Sequence, residues 1–346
     1  LEEEFGSGRG DNYTSMLYRI RAKGRKQECA IIYKVLPQSR EHREAFKSEL
    51  LFQNEVAFYT HVWPALNKLQ TNGRKVFNGV AKIYAAQIDF IAMEDLRERG
   101  FKMADRRKGL QLEHLKRTLK ALAGFHALSL TLRETRPEEF ARLTDPSEGK
   151  ENENWYRQYY QVAAKNAIRM VSDGLPPQME FKRIEIMEKL RAFLNDDVFF
   201  RTMSELVAMQ GPLTVFCHGD CWTNNILFRD DLTKSNEEVV VYLIDFQLTR
   251  VGSLALDLAN LLYCCASGEI RRAHMTQLLQ HYHFHLMSSL HTLNPKQPPK
   301  DPSVILNEEM RRCGRFGVGL ALDILPISTC ESEEAPDLYE KSKTNK

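Results

Sequence analysis

A motif in the second half of the chain constrains the fold more than any other feature. The run HGDCWTNNILF begins at His218, and LIDF follows at residues 243–246. The apolar ends of both runs are typical of short buried strands, and the polar stretch between them would join the strands as a hairpin. The motif therefore sets Asp220, Asn225 and Asp245, in that order, on or beside this predicted hairpin.

The order carboxylate, amide, carboxylate indicates phosphoryl transfer. A carboxylate can orient an attacking hydroxyl group, whereas amide and carboxylate oxygens suit Mg²⁺ bound to a nucleoside triphosphate. This chemistry requires a nucleotide-binding half upstream of the motif. The apolar, β-branched run from Cys29 to Leu36 predicts a buried strand with Lys34 near its end, and the helical pattern that follows contains Glu55.

Composition places the chain among ordinary soluble globular proteins. The 346 residues are 43% hydrophobic and 27% charged, which is enough for one large or two modest domains. A formal net charge of +2 does not indicate a nucleic-acid or membrane-surface partner, and the short apolar runs predict no membrane span. Seven scattered cysteines, an odd number, predict reduced thiols and a cytoplasmic location. Residues 331–346 are polar and are predicted to form a disordered tail.

Polarity divides the chain into two parts. The pattern of the first part predicts strands, one helix that Pro64 interrupts, and a hairpin over residues 80–93. Polarity then rises sharply from Arg97 to Lys108, so we place a boundary there, with domains at 1–94 and 95–330. The second part predicts helices on both sides of the motif, over residues 110–132, 155–170, 181–210, 255–265, 270–290 and 304–325.

Seven segments together carry a resemblance to known small-molecule kinases. They are GDNYTSMLYRI, IIYKVLP, FQNEVAFY, AMEDL, FHALSL, HGDCWTNNILF and LIDFQ, spread from Gly10 to Gln247. In combination they resemble the ecdysteroid kinase-like (CHK kinase-like) family, within the aminoglycoside phosphotransferase and choline kinase group. The resemblance implies an α+β, bilobal protein-kinase-like fold, in which a small β-rich N-lobe binds the nucleotide and a larger helical C-lobe carries the catalytic and acceptor-binding residues.

The resemblance also implies roles for the residues of the motifs. Lys34 and Glu55 would form an ion pair that holds the ammonium group against the phosphates of ATP. Asp220 would be the catalytic base, and Asn225 and Asp245 would bind Mg²⁺. Considered alone, Lys34 at a strand end would more often extend its ammonium group to solvent.

The nucleotide is predicted to lie between the two lobes. The segment Glu94 to Leu96 would connect the lobes and meet adenine through its backbone, with Met93 lining the same pocket. Backbone N–H groups of the run GSGRGDNY and the hydroxyl of Ser15 are predicted to contact phosphate, although this run departs from the GxGxxGxV pattern of protein kinases.

Two departures from protein kinases predict a site that is assembled without a regulatory switch. Asp245 is followed by Phe246 and Gln247 rather than by phenylalanine and glycine, which removes a flexible hinge. Gly219 stands where protein kinases carry the arginine that commonly engages a phosphorylated loop. Both differences favour small-molecule acceptors over protein substrates.

Several other polar residues are given structural roles. We expect His218 to buttress the catalytic loop and Asp257 to bind the backbone of that loop. His126 is expected to be a satisfied core residue. His281 and His285 are spaced four residues apart without the glutamate of a zinc-protease motif, so they predict a packing or solvated face.

The residues that bind the acceptor are the hardest part of the site to predict from the sequence. Trp155, Tyr156, Tyr159 and Tyr160 cluster in one predicted helix of the second part. They would either line an apolar pocket for a sterol-like acceptor or pack as ordinary core residues, and the pattern favours neither interpretation.

These observations predict an ATP- and Mg²⁺-dependent kinase that phosphorylates a small-molecule hydroxyl. By resemblance, the acceptor is an ecdysteroid or another lipophilic metabolite. The alternatives are a choline, ethanolamine or aminoglycoside-type kinase, a pseudokinase that binds without transfer, and a metal-dependent hydrolase built on His218 and Asp220. The joint presence of the nucleotide and magnesium residues argues against the pseudokinase, and the hydrolase lacks further ligands. The pattern predicts neither the oligomeric state nor which hydroxyl is phosphorylated.

Overall fold

The computed structural model describes residues 2–5, 15–23, 28–71, 73–144, 153–175, 180–229, 241–294 and 301–330. The predicted phosphate-binding run GSGRGDNY and the predicted disordered tail lie outside these residues. The strands are β1 (Glu2–Phe5), β2 (Met16–Lys23), β3 (Glu28–Val35), β4 (Ile83–Ala86), β5 (Phe90–Glu94), β6 (Lys102–Met103), β7 (Thr214–Cys217), β8 (Ile226–Phe228), β9 (Val241–Leu243) and β10 (Arg250–Ser253). The helices are α1 (Arg40–Phe46), α2 (Ser48–Ala57), α3 (Trp63–Asn67), α4 (Leu112–Thr135), α5 (Pro137–Leu143), α6 (Glu153–Gly174), α7 (Glu180–Phe193), α8 (Asp196–Ala208), α9 (Leu254–Cys264), α10 (Gly268–Leu293) and α11 (Ser303–Thr329).

The N-terminal strands form an antiparallel sheet in the order β1-β2-β3-β5-β4. In its register Leu17 lies opposite Lys34, which lies opposite Ile91. Facing residues on neighbouring strands share one side of a sheet, and side chains alternate between sides along each strand. Lys34 therefore points to the same side as Ile32 and Met93, and this side faces helix α2.

The helical segment beside this sheet differs from the sequence prediction. The prediction that Pro64 interrupts the helix is wrong, because Pro64 lies in the first turn of α3, where a missing N–H costs little. A π-helical turn over residues 58–62 leads from α2 directly into α3. The break falls earlier, at Lys47, whose left-handed backbone (φ 52°) ends α1 and begins α2.

The C-terminal part is mainly helical and is organised around two buried helices. Helix α4 packs along α10 and under β7, and helix α9 packs along α11. Nearly every residue of α9 is buried, because its sequence is apolar on all sides apart from Asp257 and Asn260. The single helix predicted over residues 181–210 is in fact two helices, α7 and α8, with a break at Asn195.

The two strands of the predicted motif hairpin are present and paired, whereas residues 230–240 between them lie outside the described part of the chain. Strands β8 and β9 pair antiparallel, with Ile226 opposite Leu243, and β6 extends the pair to three strands. The α+β class with a small β-rich lobe and a larger helical lobe is therefore confirmed. Strand β5 ends at Glu94, and the boundary between residues 94 and 95 stays a prediction.

Two further expectations concern cysteines and membranes. All seven cysteines belong to the described residues, and none is in a disulfide. Among the helices that the structure describes, none combines the length and the apolar character that crossing a bilayer requires.

Candidate active site

Lys34 is the centre of the contacts between the sheet and the catalytic motif. It lies on β3 with its side chain 4% exposed, and its Nζ atom donates to Glu55 Oε2 of α2 at 2.6 Å. The same Nζ atom donates to Asp245 Oδ1 at 2.7 Å. The structure thus contains the expected Lys34–Glu55 pair and excludes the alternative in which the ammonium group reaches solvent.

The two carboxylates determine the charge state of this cluster. Burial alone would lower the pKa of Lys34, but the negative charges of Asp245 and Glu55 raise the pKa above its ordinary value, so the ammonium group stays protonated. Burial raises the pKa of Glu55, and the opposing charge of Lys34 offsets only part of that rise. Lys34 is thus shared by two carboxyl groups, of which Glu55 holds its proton more tightly than an ordinary glutamate does.

Asp220 lies between β7 and β8, in residues 218–225, which we call the catalytic loop after the role predicted for Asp220. Its Oδ2 atom accepts from Asn225 Nδ2 at 2.8 Å and from the indole N–H of Trp222 at 3.3 Å. Burial, followed by repulsion from Asp245, raises the pKa of Asp220 to about 7. A carboxyl group with this proton affinity accepts a proton more readily than an ordinary aspartate does.

The side-chain chemistry of Asn225 and Asp245 suits a magnesium ion. The amide nitrogen of Asn225 is bonded to Asp220, both to its carboxylate and to its backbone carbonyl, so the amide oxygen is the atom left for a cation. Asp245 binds Lys34 through Oδ1, so its second carboxylate oxygen is the atom left for a cation. No cluster of three or more histidine, cysteine or acidic side chains able to hold a metal occurs in the described part of the chain. Mg²⁺ does not need such a cluster, because it commonly takes one or two carboxylates together with water and substrate phosphates.

His218 holds the catalytic loop in place. Its Nδ1 atom accepts from the backbone N–H of Asp220 at 3.2 Å, and its Nε2 atom lies 3.0 Å from the carbonyl oxygen of Ile244. These partners require a neutral ring with the proton on Nε2, and burial lowers the pKa of His218 in agreement with that form. Both ring nitrogens are therefore occupied, which supports the predicted buttressing role over a role as base.

Asp257 binds the backbone of the same loop, as the sequence predicted. Its carboxylate accepts from the N–H of His218 at 2.7 Å and from the N–H of Gly219 at 2.9 Å. It also lies 3.1 Å from Nε2 of His126, whose Nδ1 atom contacts the hydroxyl of Tyr282 at 2.8 Å. Burial would raise the pKa of Asp257, but these hydrogen bonds and the nearby imidazoles lower it, so the carboxylate is ionised. His126 is thus a satisfied core residue.

Arg250 is a second support of the catalytic loop, and the sequence reasoning missed it. Its guanidinium group donates to the carbonyl oxygen of Gly219 at 2.9 Å and to that of Leu248 at 3.2 Å. Gly219 has φ 87°, and a Cβ atom on it would lie 1.9 Å from the oxygen of Leu248. No side chain fits there, so the glycine is required by close approach of the two loops. An arginine just after the LIDFQ run was the available signal.

Phe246 fixes the segment that carries Asp245. Its fully buried ring stacks on Phe58 with centroids 3.8 Å apart, and it contacts His218 with centroids 4.6 Å apart. Asn54 of α2 donates to the carbonyl oxygens of Gln247 and Thr249, at 2.7 and 2.9 Å. These contacts join α2, the catalytic loop and the Asp245 segment into one packed unit, and the absence of a regulatory switch stays a prediction.

The connector between the lobes holds the residues predicted to meet adenine. Met93 is buried on the Lys34 side of the sheet, and Leu96 is buried at the start of a short 3-10 helix. The backbone N–H of Glu94 already donates to the carbonyl oxygen of Lys82 at 2.9 Å, so it is not a spare donor for a base. Ser15 is 2% exposed at the start of β2. Contacts of these four residues with a nucleotide stay predictions.

A buried ion pair ties the sheet to this connector and was not predicted. Arg19 of β2 is 8% exposed and binds the carboxylate of Asp95, and its Nη2 atom lies 2.6 Å from Glu98 Oε1. Asp95 also accepts from the backbone N–H of Arg97, which caps the short helix. The pair fixes the connector against the sheet.

The four predicted acceptor-site aromatics lie together on α6. Trp155 and Tyr159 are stacked with centroids 5.5 Å apart and an interplanar angle of 14°. Trp155 also donates through its indole N–H to the carbonyl oxygen of Ala45 on α1, at 2.9 Å. Tyr160 packs against Phe199 of α8. The cluster therefore combines both interpretations, because Tyr160 is partly buried and packs against the core whereas Tyr159 is 40% exposed.

The histidine pair on α10 is a packing face, as expected. His281 lies 3.0 Å through Nε2 from the carbonyl oxygen of Lys116, and its ring contacts that of His285 with centroids 4.5 Å apart.

The fold and the site together define a kinase-like protein with a lysine, glutamate and aspartate cluster facing an aspartate and asparagine pair. The sequence profile of the ecdysteroid kinase-like family matches residues 9–295. The chain belongs to this family. A search of curated proteins gives no significant match.

Among solved structures, the chain is similar to choline kinase LicA from Streptococcus pneumoniae. The sequence identity is 13%, the alignment covers 93% of this chain and 93% of that chain, and the TM-score is 0.37. A likeness at this level adds nothing to the family assignment.

Proposed function

We propose that the protein is an ATP- and Mg²⁺-dependent kinase that transfers the γ-phosphate to a hydroxyl group of a small molecule. One observation carries the proposal: Lys34 bonds both Glu55 and Asp245, so that the predicted phosphate-binding lysine and the predicted magnesium ligand are in direct contact. Membership of the ecdysteroid kinase-like family supports the same class of reaction.

Lys34 would bind the phosphates of the nucleotide. Glu55 holds the ammonium group in place, and Asp245 sets its position relative to the catalytic motif. ATP would compete with these carboxylates for the ammonium group, since phosphate oxygens are equally good acceptors for it. Asn225 and Asp245 would hold Mg²⁺, which supplies charge neutralisation for the phosphates when it is bound.

Asp220 would orient the acceptor hydroxyl. An alcohol is too weak an acid for an aspartate to deprotonate before attack, so Asp220 accepts the proton late, as the bond between oxygen and phosphorus forms and the bond to the leaving phosphate breaks. Asn225 and Trp222 fix its carboxylate by hydrogen bonds to Oδ2, which leaves Oδ1 to receive the hydroxyl. Arg250, Asp257 and His218 act through the backbone that carries Asp220.

The acceptor is proposed to be an ecdysteroid or a related lipophilic metabolite. The family supports this choice, and the exposed ring of Tyr159 stacked on Trp155 offers an apolar surface of the matching kind. A cytoplasmic location is proposed on the basis of the unpaired cysteines.

Acceptor-dependent formation of ADP tests the proposal. Purified protein is mixed with ATP and Mg²⁺, and each reaction receives an ecdysteroid, another hydroxylated lipid, choline, ethanolamine or an aminoglycoside. We expect ADP only when an acceptor and Mg²⁺ are both present, with the ecdysteroid as the preferred acceptor. Binding of ATP without ADP formation for every acceptor would favour a pseudokinase, and release of phosphate into water without an acceptor would favour a hydrolase.

A further inference from the structure

We propose that a cavity between α3 and α5 is a binding site for a small phosphate-bearing molecule. The cavity has a volume of about 250 Å³. The polar residues of its lining are Thr60, His61, Lys68, Glu139 and Arg142. None of the residues that line it belongs to the candidate active site, so this inference goes beyond the proposed function and does not depend on it.

Positive charge dominates the lining of this cavity. His61, Lys68 and Arg142 are basic, and Glu139 is the acidic residue that accompanies them. Glu139 already has a cationic partner, because its Oε2 atom lies 3.4 Å from Nη1 of Arg136. A concave surface with several cations and one carboxylate that is already paired attracts anions.

The three basic side chains have no other partner within the ranges that the structure describes. Lys68 and Arg142 lie at the C-terminal ends of α3 and α5, where basic side chains often donate to free carbonyl oxygens. Neither does so, and neither they nor His61 form an ion pair or hydrogen bond with another described residue. The hydroxyl of Thr60 donates to the carbonyl oxygen of Val56 at 2.7 Å. The donors available to a ligand are therefore the three basic groups.

The donors and the size of the cavity define the class of ligand. The guanidinium group of Arg142 can bind two oxygens of one phosphate, and the ammonium group of Lys68 and the ring N–H of His61 can bind further oxygens. A phosphate monoester offers three acceptor oxygens and a charge of about −1.5 to −2 at neutral pH, which is more than a carboxylate offers. Pockets for drug-sized ligands have volumes of about 300–1,000 Å³. A cavity of about 250 Å³ therefore suits a small phosphorylated compound.

The cavity and the candidate active site lie against different sides of the π-helical turn that follows α2. Phe58 and Tyr59 of this turn are buried, and their rings contact Phe246 in the active site. Thr60 and His61 of the same turn are exposed and line the cavity. A molecule in the cavity would thus be bound on the outer side of the turn, apart from the predicted nucleotide site.

Calorimetry with simple anions tests the site directly. The probes are glycerol 3-phosphate, inorganic phosphate and acetate, each titrated at the same ionic strength. The proteins are the wild type, the double variant Lys68→Gln/Arg142→Gln and the control Lys165→Gln/Arg169→Gln. Lys165 and Arg169 are exposed residues one turn apart on α6, so the control removes the same charge elsewhere. Thermal melting verifies that each protein is folded.

We expect the wild type and the control to bind both phosphate compounds equally and acetate not measurably. Lys68→Gln/Arg142→Gln should weaken phosphate binding about tenfold or more, because two charge-assisted hydrogen bonds are lost. Acylation of lysines by acetic anhydride, followed by mass spectrometry, locates the ligand on the wild type. Glycerol 3-phosphate should slow acylation of Lys68 about threefold or more and leave that of Lys165 unchanged, since a bound phosphate covers the first ammonium group alone.

Equal phosphate binding by the wild type and Lys68→Gln/Arg142→Gln would overturn the site, as would the absence of binding or unchanged acylation of Lys68. The same loss in both double variants would show a response to net charge, which also contradicts a site. Acetate that binds as tightly as glycerol 3-phosphate would refute the phosphate class. Tighter binding of glycerol 3-phosphate than of inorganic phosphate would support a phosphate ester as the ligand, and the reverse order would support free phosphate.

Discussion

Substitution of Asp257 by asparagine tests how the catalytic loop is held. The two side chains have nearly the same shape, so the exchange changes hydrogen bonding and charge without creating a cavity. In the native protein the carboxylate accepts from the backbone N–H groups of His218 and Gly219 and lies within hydrogen-bonding distance of His126. An amide has only one oxygen, so in either orientation its NH₂ group faces at least one of these donors.

The expected cost follows from these contacts. Leaving one buried N–H without an acceptor costs about 1–3 kcal/mol, and the remaining bonds lose their charge-assisted strength. We therefore expect Asp257→Asn to lower the free energy of unfolding by about 3 kcal/mol, which is about 100-fold in the folding equilibrium. The loop would also move from its native position and take Asp220 with it, so kcat should fall about 100-fold. The affinity for Mg·ATP should change little, because the substitution does not affect Lys34 or Asp245.

Urea unfolding monitored by tryptophan fluorescence measures the stability of both proteins. Glu185→Gln is a suitable control, because Glu185 forms an exposed pair with Lys189 on α7 and loss of this pair should leave the urea midpoint unchanged.

The stability that Asp257 contributes should depend on pH. The pKa of Asp257 is lowered from 3.8, so its contribution to the free energy of unfolding is complete above about pH 4 and is lost as the pH falls through the lowered value. The difference in the free energy of unfolding between the wild type and Asp257→Asn should therefore become smaller in acid.

A variant as stable and as active as the wild type at neutral pH would refute this reasoning. It would mean that the N–H groups of the loop find other partners, and that Asp257 is not what holds them.

Three further substitutions test the catalytic loop and the acidic cluster around Lys34. Gly219→Ala should abolish transfer and destabilise the protein, because its Cβ would lie 1.9 Å from the oxygen of Leu248; soluble, active protein in an expression trial would contradict this. Arg250→Met should lower kcat about tenfold with unchanged KM for ATP, and Arg250→Lys should restore part of it; a rise in the KM for ATP alone would point to nucleotide contact instead. Asp245→Ala should weaken Mg·ATP binding in calorimetry, and an unchanged magnesium dependence would exclude it as a ligand.

Much of the fold and the centre of the site could be predicted from the sequence, because short motifs carry them. The hairpin of β8 and β9 is encoded by two apolar runs that lie near one another in the chain. Lys34 and Glu55 are 21 residues apart, and one strand followed by one helix is enough to bring them together. Asp257 is a charged residue in a helix that is otherwise apolar, which is a signal of a buried polar partner.

Other features depend on tertiary contacts that no local pattern encodes. Pro64 was predicted to interrupt a helix, but the π-helical turn before it places the proline in a first helical turn, where it is tolerated. Arg250 bonds the catalytic loop because β10 pairs with β7, and no local pattern encodes this pairing. Its position just after the LIDFQ run places Arg250 near the motif, but the local pattern does not show whether its side chain turns towards the loop or towards solvent.

A single-turnover transfer assay tests the central claim most directly. Excess protein is mixed with ATP labelled at the γ-phosphate, Mg²⁺ and an ecdysteroid, and the wild type is compared with Asp220→Asn after equal Mg·ATP binding has been verified for both. We predict that label appears on the steroid with the wild type and that the rate falls by at least about 100-fold with Asp220→Asn. Equal transfer by both proteins would contradict the assignment of Asp220, and absence of labelled steroid with the wild type would contradict the proposed acceptor.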